Sequence, residues 1–135
     1  MNSSLEASGR RLPLAHFNIL RSNRATEVMQ RMGSCLSPHH LTVHGDAHRL
    51  DVQLNRVPMG EVSIHALHYG AEVTIDPGTR GDFYLLQFPL RGVAQVRSAG
   101  HQAQISAGVL GVLHPKAPTL MHWSADCATD RKSVV

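Results

Sequence analysis

Ten histidines among 135 residues make metal binding the first chemistry to consider. The best-placed candidates are His65 with His68, His39 with His40, and His122. A transition metal needs several donor atoms that converge on one point. On a β-strand, residues three apart project to opposite faces, so His65 and His68 do not converge unless the strand carries a bulge. The spacing therefore predicts a protein that binds no metal and needs no cofactor.

Nucleophilic catalysis is the second chemistry to consider, because Cys35 and Cys127 are each a possible thiolate. His39, His40 or His122 is a possible partner, but nothing in the local sequence lowers either thiol pKa. The two cysteines lack metal or redox spacing, which predicts reduced, inert thiols. No Gly-rich phosphate loop precedes a helix, so the sequence does not predict an enzyme. The candidate acid–base carboxylates all sit beside predicted turns, where solvation or capping explains them: Glu61, Glu72, Asp76 and Asp82.

Alternating apolar and polar residues divide most of the chain into short strands, separated by turns such as those at 57–60 and 76–78. A helix is predicted over 24–32, with Ser22 or Asn23 as its cap and Gly33 as its stop. Segment 83–90 is apolar on both faces, which predicts a strand deep in the fold. Seven or eight strands at this spacing predict a β-sandwich or barrel. Predicted strands cover 49–55, 62–69, 72–76, 83–90, 93–97, 102–105, 109–113 and 119–123.

Length and composition fit one globular domain, with 42% hydrophobic and 17% charged residues. The formal net charge is +3, but Lys and Arg do not cluster as a nucleic-acid surface requires. No basic segment followed by an apolar run marks a signal peptide, and no apolar stretch reaches the ~20 residues of a membrane span. We therefore expect a cytoplasmic protein that neither enters a membrane nor binds DNA by itself.

Short motifs in a fixed order carry a resemblance that periodicity alone does not give. They are LSPHHL at 36–41, YGAEV at 69–73, DFYL at 82–85, FPLRG at 88–92, AG at 107–108, HP at 114–115 and MHWSADC at 121–127. Their order and spacing resemble the N-terminal effector-binding domain of AraC/XylS-type transcription regulators, over most of the chain from Phe17 onward. The resemblance implies a mainly β protein, a cupin-like β-barrel or jelly roll with one short N-terminal helix.

The same resemblance implies a domain organisation and a set of partners. We expect a flexible arm at 1–16, the ligand-sensing domain at 17–130, and a linker start or truncated end at 131–135. The helix-turn-helix half of the family is missing, so DNA would be reached only through that absent C-terminal domain. The expected partner is a small-molecule effector, and a homodimer is possible.

An effector pocket of this kind is an apolar cavity with a few polar tips, which Tyr and Trp supply. Tyr84 and Trp123 are therefore the first candidates, although core packing explains Tyr84 and a surface or hinge contact explains Trp123 equally well. By the period of two, one face of the predicted strand at 83–90 is expected to line the ligand. The candidate ligand-binding residues are Tyr84, Leu86, Phe88, Trp123, His65, Tyr69 and Gln87.

Two other functions remain open alongside the sensor. A small cupin-type metalloenzyme would need a metal site, but Gly111 stands where the cupin motif has its later His, and residues 82–92 contain no His. The resemblance therefore implies a metal-free barrel. A dimerisation module without a ligand is the other alternative. The predicted helix is a possible dimer face, although an amphipathic helix more often covers a core, and we favour the role of a lid.

Overall fold

The computed structural model describes residues 12–35, 40–76, 84–98, 100–114 and 118–134. Within these ranges one α-helix, α1 at Ala25–Cys35, accompanies eleven strands, and a single turn of 3-10 helix lies at Ala15–Phe17 and another at Ala47–Arg49. None of the helices in the described ranges has the length and apolar composition needed to cross a membrane. The strands are β1 Asn18–Ser22, β2 His40–Val43, β3 Val52–Met59, β4 Val62–His68, β5 Val73–Asp76, β6 Tyr84–Arg91, β7 Val93–Ser98, β8 His101–Ser106, β9 Gly111–Leu113, β10 Thr119–Trp123 and β11 Ala128–Val134.

The strands form two antiparallel sheets that face each other. Sheet A has six strands in the order β1-β3-β4-β11-β6-β9, and sheet B has five in the order β2-β5-β10-β7-β8. One apolar cluster, which includes Leu54 and Leu67 of sheet A and Val73 and Met121 of sheet B, fills the space between them. This confirms the predicted mainly β, cupin-like architecture with one N-terminal helix.

Helix α1 begins where the sequence predicts but extends further. Ser22 Oγ accepts a hydrogen bond from the Arg24 N–H at 3.1 Å and donates one to Glu27. Val28 and Met32 are buried in the main core, so the helix covers one part of the barrel as the lid interpretation expects. The prediction that Gly33 stops the helix is wrong, because the backbone stays helical through Cys35. Packing of the apolar face outweighs the small helix preference of one glycine.

Residues near both expected domain edges contact or join the barrel. Leu12 is 2% exposed and packs with Ala66 and Ala128 on the outer side of sheet A, where the Pro13 carbonyl accepts a 2.8 Å hydrogen bond from Asn55 Nδ2. Residues 12 and 13 thus contact the barrel, whereas 1–11 lie outside the described residues, so the arm expected at 1–16 stays a prediction. At the other end, the expected linker start at 131–134 forms most of β11.

The turn predicted at 57–60 lies further along the chain. Strand β3 continues through Pro58 to Met59, and the hairpin reverses at Gly60, whose φ is +68°. Proline is tolerated here because β1 pairs with β3 only as far as Asn55, which leaves Pro58 without a neighbour on that side. Strand β3 therefore continues past Arg56 while it pairs with β4.

The β6–β7 corner depends on a glycine. Gly92 has a φ of +75°, and a Cβ added there would lie 2.5 Å from the Cys127 Cα and 2.8 Å from Ser124 Oγ. The same Ser124 oxygen accepts a 2.9 Å hydrogen bond from the Val93 N–H. The close approach of the two chain segments therefore leaves no room for a side chain.

We predict that Gly92→Ala destabilises the fold far more than Gly60→Ala. Gly60 has a similar positive φ, but nothing lies within 4 Å of its added Cβ. Gly60→Ala should cost about 1 kcal/mol from left-handed strain alone, and Gly92→Ala should add about 2 kcal/mol from the backbone clash. Urea unfolding of both variants measures the difference. Equal losses would show that the corner opens to accept a methyl group.

Candidate ligand site between the sheets

A row of polar side chains crosses the inner face of sheet A. Arg56 of β3 pairs with His65 of β4, His65 with Arg131 of β11, and Arg131 with Gln87 of β6. Residues directly opposite one another in antiparallel strands project to the same face of the sheet. We call these four residues the inner polar row.

Sheet B supplies the opposite wall of the site. Gln87 Nε2 donates a hydrogen bond to Met121 Sδ at 3.4 Å. The Arg131 guanidinium lies 6.0 Å from the centroid of the Trp123 ring. An arginine at this distance from an indole face makes a cation–π contact. Met121 and Trp123 alternate inward on β10, so both sheets contribute to one site.

Several polar atoms of this site are buried without hydrogen-bond partners among the described residues. Gln87 and Trp123 are fully buried and His65 is 2% exposed. The unsatisfied atoms are Arg56 Nε, both ring nitrogens of His65, Gln87 Oε1 and Trp123 Nε1. Each buried polar group left unsatisfied costs about 1–3 kcal/mol, so native proteins rarely keep several together without a functional reason.

The electrostatics of the row keep His65 neutral. Burial, together with the nearby positive charges of Arg131 and Arg56, lowers the pKa of His65 from 6.5 to about 3. A neutral imidazole has one N–H donor and one acceptor nitrogen. At physiological pH, His65 can therefore both donate to a ligand and accept from it.

Aromatic contacts connect this site to α1. Trp123 meets Tyr69 edge to face, with ring centroids 5.3 Å apart, and the Tyr69 hydroxyl lies 3.9 Å from Met32 Sδ. Burial raises the pKa of Tyr69 well above its usual value, so the hydroxyl stays protonated. A continuous chain of packed side chains thus runs from the inner polar row to the helix.

Four of the sequence-predicted ligand residues meet in or beside this site: His65, Tyr69, Gln87 and Trp123. The surface alternative for Trp123 is wrong, because its side chain is fully buried between the sheets. Sequence reasoning missed Arg56, Arg131 and Met121. The alternation of Val52, Leu54 and Arg56 on β3 was a usable signal, since it places the arginine on the inner face.

Tyr84, Leu86 and Phe88, which the sequence places on the ligand-lining face of β6, do not face the barrel interior. They do share a face of β6, but Tyr84 is 45% exposed and Leu86 and Phe88 are half-buried, whereas Leu85 and Gln87 point inward. Only one face of β6 is covered by sheet B, so the strand is not buried on both sides, and Phe83 lies outside the described residues. Ligand contact by the three outward side chains stays a prediction, and the interior site does not include them.

A group of hydrogen-bonded side chains that includes two histidines lies on the outer face of sheet B. His122 Nε2 is 2.7 Å from Glu72 Oε2, and Thr74 Oγ1 is 2.6 Å from His44 Nε2 and 3.2 Å from His122 Nδ1. His68 and His65 lie on opposite faces of β4, as the spacing predicts. Within the ranges that the structure describes, no three His, Cys, Asp or Glu side chains converge to hold a metal.

Cys127 is buried, and its Sγ lies 3.6 Å from Thr129 Oγ1. Burial raises the pKa of this thiol to about 11, which makes it a poor nucleophile at neutral pH. The side chain of Cys35 and all of His39 lie outside the described residues. Burial and the raised pKa of Cys127 agree with the prediction of an inert thiol.

A separate cleft of ≈ 540 Å³ is lined by Arg21, Asp51, His68 and Arg91, and by Leu12 on the outer side of sheet A. Arg21 and Asp51 form a 3.3 Å ion pair, with side chains 66% and 52% exposed. Exposed, paired charges of this kind are already solvated and require no ligand. The inner polar row is for that reason the stronger candidate site.

Two sheets enclosing a site with polar side chains define the class: this is a cupin-like β-barrel. Among solved structures, the AraC-like transcriptional activator CuxR is similar with a TM-score of 0.71 and 9% identity, covering 87% of this chain and 46% of that one. KdgF from Halomonas sp. is similar at 0.54 and 12%, covering 62% of this chain and 79% of that one. Rru_A2000 from Rhodospirillum rubrum, a cupin-2 domain, is similar at 0.52 and 10%, with 72% and 70% covered. At these identities the likeness establishes the fold.

The family follows from the sequence itself. Residues 28–129 match the model of the AraC-binding-like domain, and the chain belongs to that family. No match to a curated protein sequence was found. The family points to a regulatory, ligand-binding role. The chain spans less than half the length of the activator CuxR.

We predict that His65 makes the fold sensitive to mild acid. In the unfolded chain this histidine takes up a proton below pH 6.5, whereas in the folded protein it resists protonation down to about pH 3. The free energy of unfolding is therefore not reduced by this group above pH 6.5, and it decreases as the pH falls below that value. Between pH 6.5 and 5 the loss should be about 2 kcal/mol.

Urea unfolding at both pH values measures this loss in three proteins. The pH dependence should shrink in His65→Gln and persist in His48→Gln, which changes an exposed histidine. If His65→Gln loses as much stability as the wild type on acidification, the buried imidazole is not the group that titrates.

Proposed function

We propose that this chain is the effector-sensing domain of an AraC-type transcription regulator and binds a small molecule between its two sheets without a metal ion. The observation that carries this proposal is the group of buried, unsatisfied polar atoms on His65, Gln87, Arg56 and Trp123. Such atoms are expected to find partners in a bound ligand or ordered water. The family and the regulatory neighbour support the assignment of a sensor.

The proposed mechanism is linkage between the ligand and the arrangement of the domain. An effector shifts a regulator only by its different affinities for two states. A ligand against Trp123 would act on Tyr69 through their edge-to-face contact, and on α1 through the contact between Tyr69 and Met32. In this proposal DNA is bound by a separate unit of the regulator, which responds to the altered position of α1. A cytoplasmic location and a homodimer remain predictions.

A metalloenzyme is less well supported as an alternative. It would need His, Cys, Asp or Glu side chains converging between the sheets, and the inner polar row offers only His65 of these types. In the described part of the chain no group of three such residues forms. Gly111, which the sequence places at the position of the cupin histidine, pairs with Gln87 at the edge of the row.

The test uses the only tryptophan in the sequence as a reporter of the interior. Compounds selected by thermal shift should change the fluorescence emission of Trp123, because the indole borders the proposed site. They should also protect that fluorescence from quenching by acrylamide. Gln87→Leu should weaken the selected compound about tenfold by removing one hydrogen-bonding group. Gln104→Leu, on exposed β8, should leave the affinity unchanged.

Two outcomes would contradict the proposed ligand site between the sheets. A compound that stabilises the protein without altering Trp123 emission, and that binds both variants equally, would place the ligand site outside the barrel. A broad library without any stabilising compound would favour the dimerisation module.

A further inference from the structure

The two sheets end in four edge strands among the described residues, and three of these edges are protected. Helix α1 lies against β1 and β2, and Arg31 of the helix donates a 2.8 Å hydrogen bond to the Ile19 carbonyl of β1. Strand β9 contains only three residues. Covering helices and very short edges are common ways to prevent strands of different molecules from pairing. Strand β8 is the remaining edge.

Strand β8 is longer, regular and unprotected. It has six residues, and the first four, from His101 to Gln104, are all exposed. Its register with β7 is continuous over six pairs, so no bulge twists it away from a partner. Residues 98–113 contain no Lys, Arg, Asp or Glu, although charged side chains are a usual protection of an edge. An edge with these properties is expected to accept another strand.

The hydrogen bonds of Val93 show which backbone groups of β8 are open. The Val93 carbonyl accepts a bond from the Ser124 N–H, and the Val93 N–H donates to Ser124 Oγ, each at 2.9 Å. Val93 pairs with Ser106 of β8 but is thus bonded away from it. Because the bonding direction alternates along an antiparallel pair, Gln102 and Gln104 also direct their N–H and C=O groups away from β7, to the open edge.

The open residues of β8 are complementary to those of a second copy of the chain. In an antiparallel pair with a two-fold axis at Ala103, Gln102 lies opposite the partner's Gln104, and Gln104 lies opposite the partner's Gln102. The open backbone groups of both glutamines then all form hydrogen bonds, and no like charges face each other. The two Ala103 residues meet in the closer, non-hydrogen-bonded type of pair, where a small side chain fits.

Apolar side chains next to this edge add to the surface. Val109, Leu110 and Val112 follow β8 directly and are exposed, and Val112 is 58% exposed. Their segment stays close to the strand, because a Cβ added at Gly111 would lie 3.0 Å from Ile105 Cδ1. Exposed large apolar side chains that lie together are typical of protein interaction surfaces.

We propose that two copies of this chain associate through their β8 strands, which joins two five-stranded B sheets into one continuous sheet. Both copies use the same residues, as a two-fold contact requires. The contact is small, so the dimer is weak and concentration-dependent, with a dissociation constant in the micromolar range. This proposal goes beyond the proposed function and does not depend on the binding of a ligand.

Sedimentation equilibrium from low micromolar to near-millimolar protein tests the proposal. The wild-type chain should pass from monomer to dimer within this range. Ala103→Lys and Ala103→Glu should each weaken the association about tenfold or more, because each places like charges opposite each other at the two-fold axis. An equimolar mixture of the two variants should associate again, since Lys then faces Glu.

Gln95 supplies the matched controls. It is exposed on β7, one strand away from the open edge, and it pairs with Gln104 of β8. Gln95→Lys and Gln95→Glu should therefore dimerise like the wild type. Circular dichroism of all four variants checks that each keeps the fold, as expected for substitutions of exposed residues.

Three outcomes would overturn the proposal. The first is a wild-type chain that stays monomeric over the whole concentration range. The second is a dimer that persists unchanged in both Ala103 variants, because the interface would then lie elsewhere on the molecule. The third is a mixture of the Lys and Glu variants that does not associate, which would exclude a two-fold contact at Ala103.

Discussion

The insertion of β11 between β4 and β6 is the constraint on which the rest of the molecule depends. Without that strand, sheet A separates into a β1-β3-β4 unit and a β6-β9 unit. Its pairing register also aligns Arg131 with His65 on one side and with Gln87 on the other. A shift of one residue would turn every side chain of β11 to the opposite face. The same hydrogen bonds that close the sheet therefore assemble the site.

The interior combines two rows of opposite character. Leu54 and Leu67 pair across β3 and β4 and, with buried Thr129, fill one level of the barrel. The next level in the register carries the inner polar row. The apolar level supplies burial free energy of about 25 cal/mol per Å², which offsets the cost of polar groups left without protein partners. Apolar packing and the buried polar groups of the candidate site thus occupy adjacent levels of one sheet.

Local alternation predicted the hairpin strands well. Strands β4, β5, β7, β8 and β10 lie where the sequence places them, since each has a regular period and clear turn residues. Strands β1, β2 and β11 were missed. Their mixed polar composition has no clear period, and β1 and β11 depend on partners distant in sequence. The arginine of β11 was missed for the same reason, because residues 131–135 were assigned to a linker.

The orientation of β6 shows where local pattern reasoning ends. Its residues are apolar at Tyr84, Leu86 and Phe88 and also at Leu85, so hydrophobicity alone does not distinguish the two faces. In such a pattern the single polar residue, Gln87, is expected to point outward, yet it is fully buried. The usual inference that a polar residue in a strand points to solvent therefore fails for Gln87. Such exceptions are expected where function competes with stability.

The route from the site to α1 imposes its own physical condition on sensing. Trp123 contacts Arg131 through a cation–π interaction and Tyr69 through a T-shaped ring contact, so a shift of the indole toward one changes its contact with the other. Close-packed interiors transmit such shifts because they contain little free volume. The Tyr69 hydroxyl meets a thioether, which is a weak acceptor, and so the contact with Met32 holds the helix less firmly than an ordinary hydrogen bond would. In the proposed mechanism, this weak contact is what allows a modest ligand-dependent movement of the aromatic pair to change the position of α1.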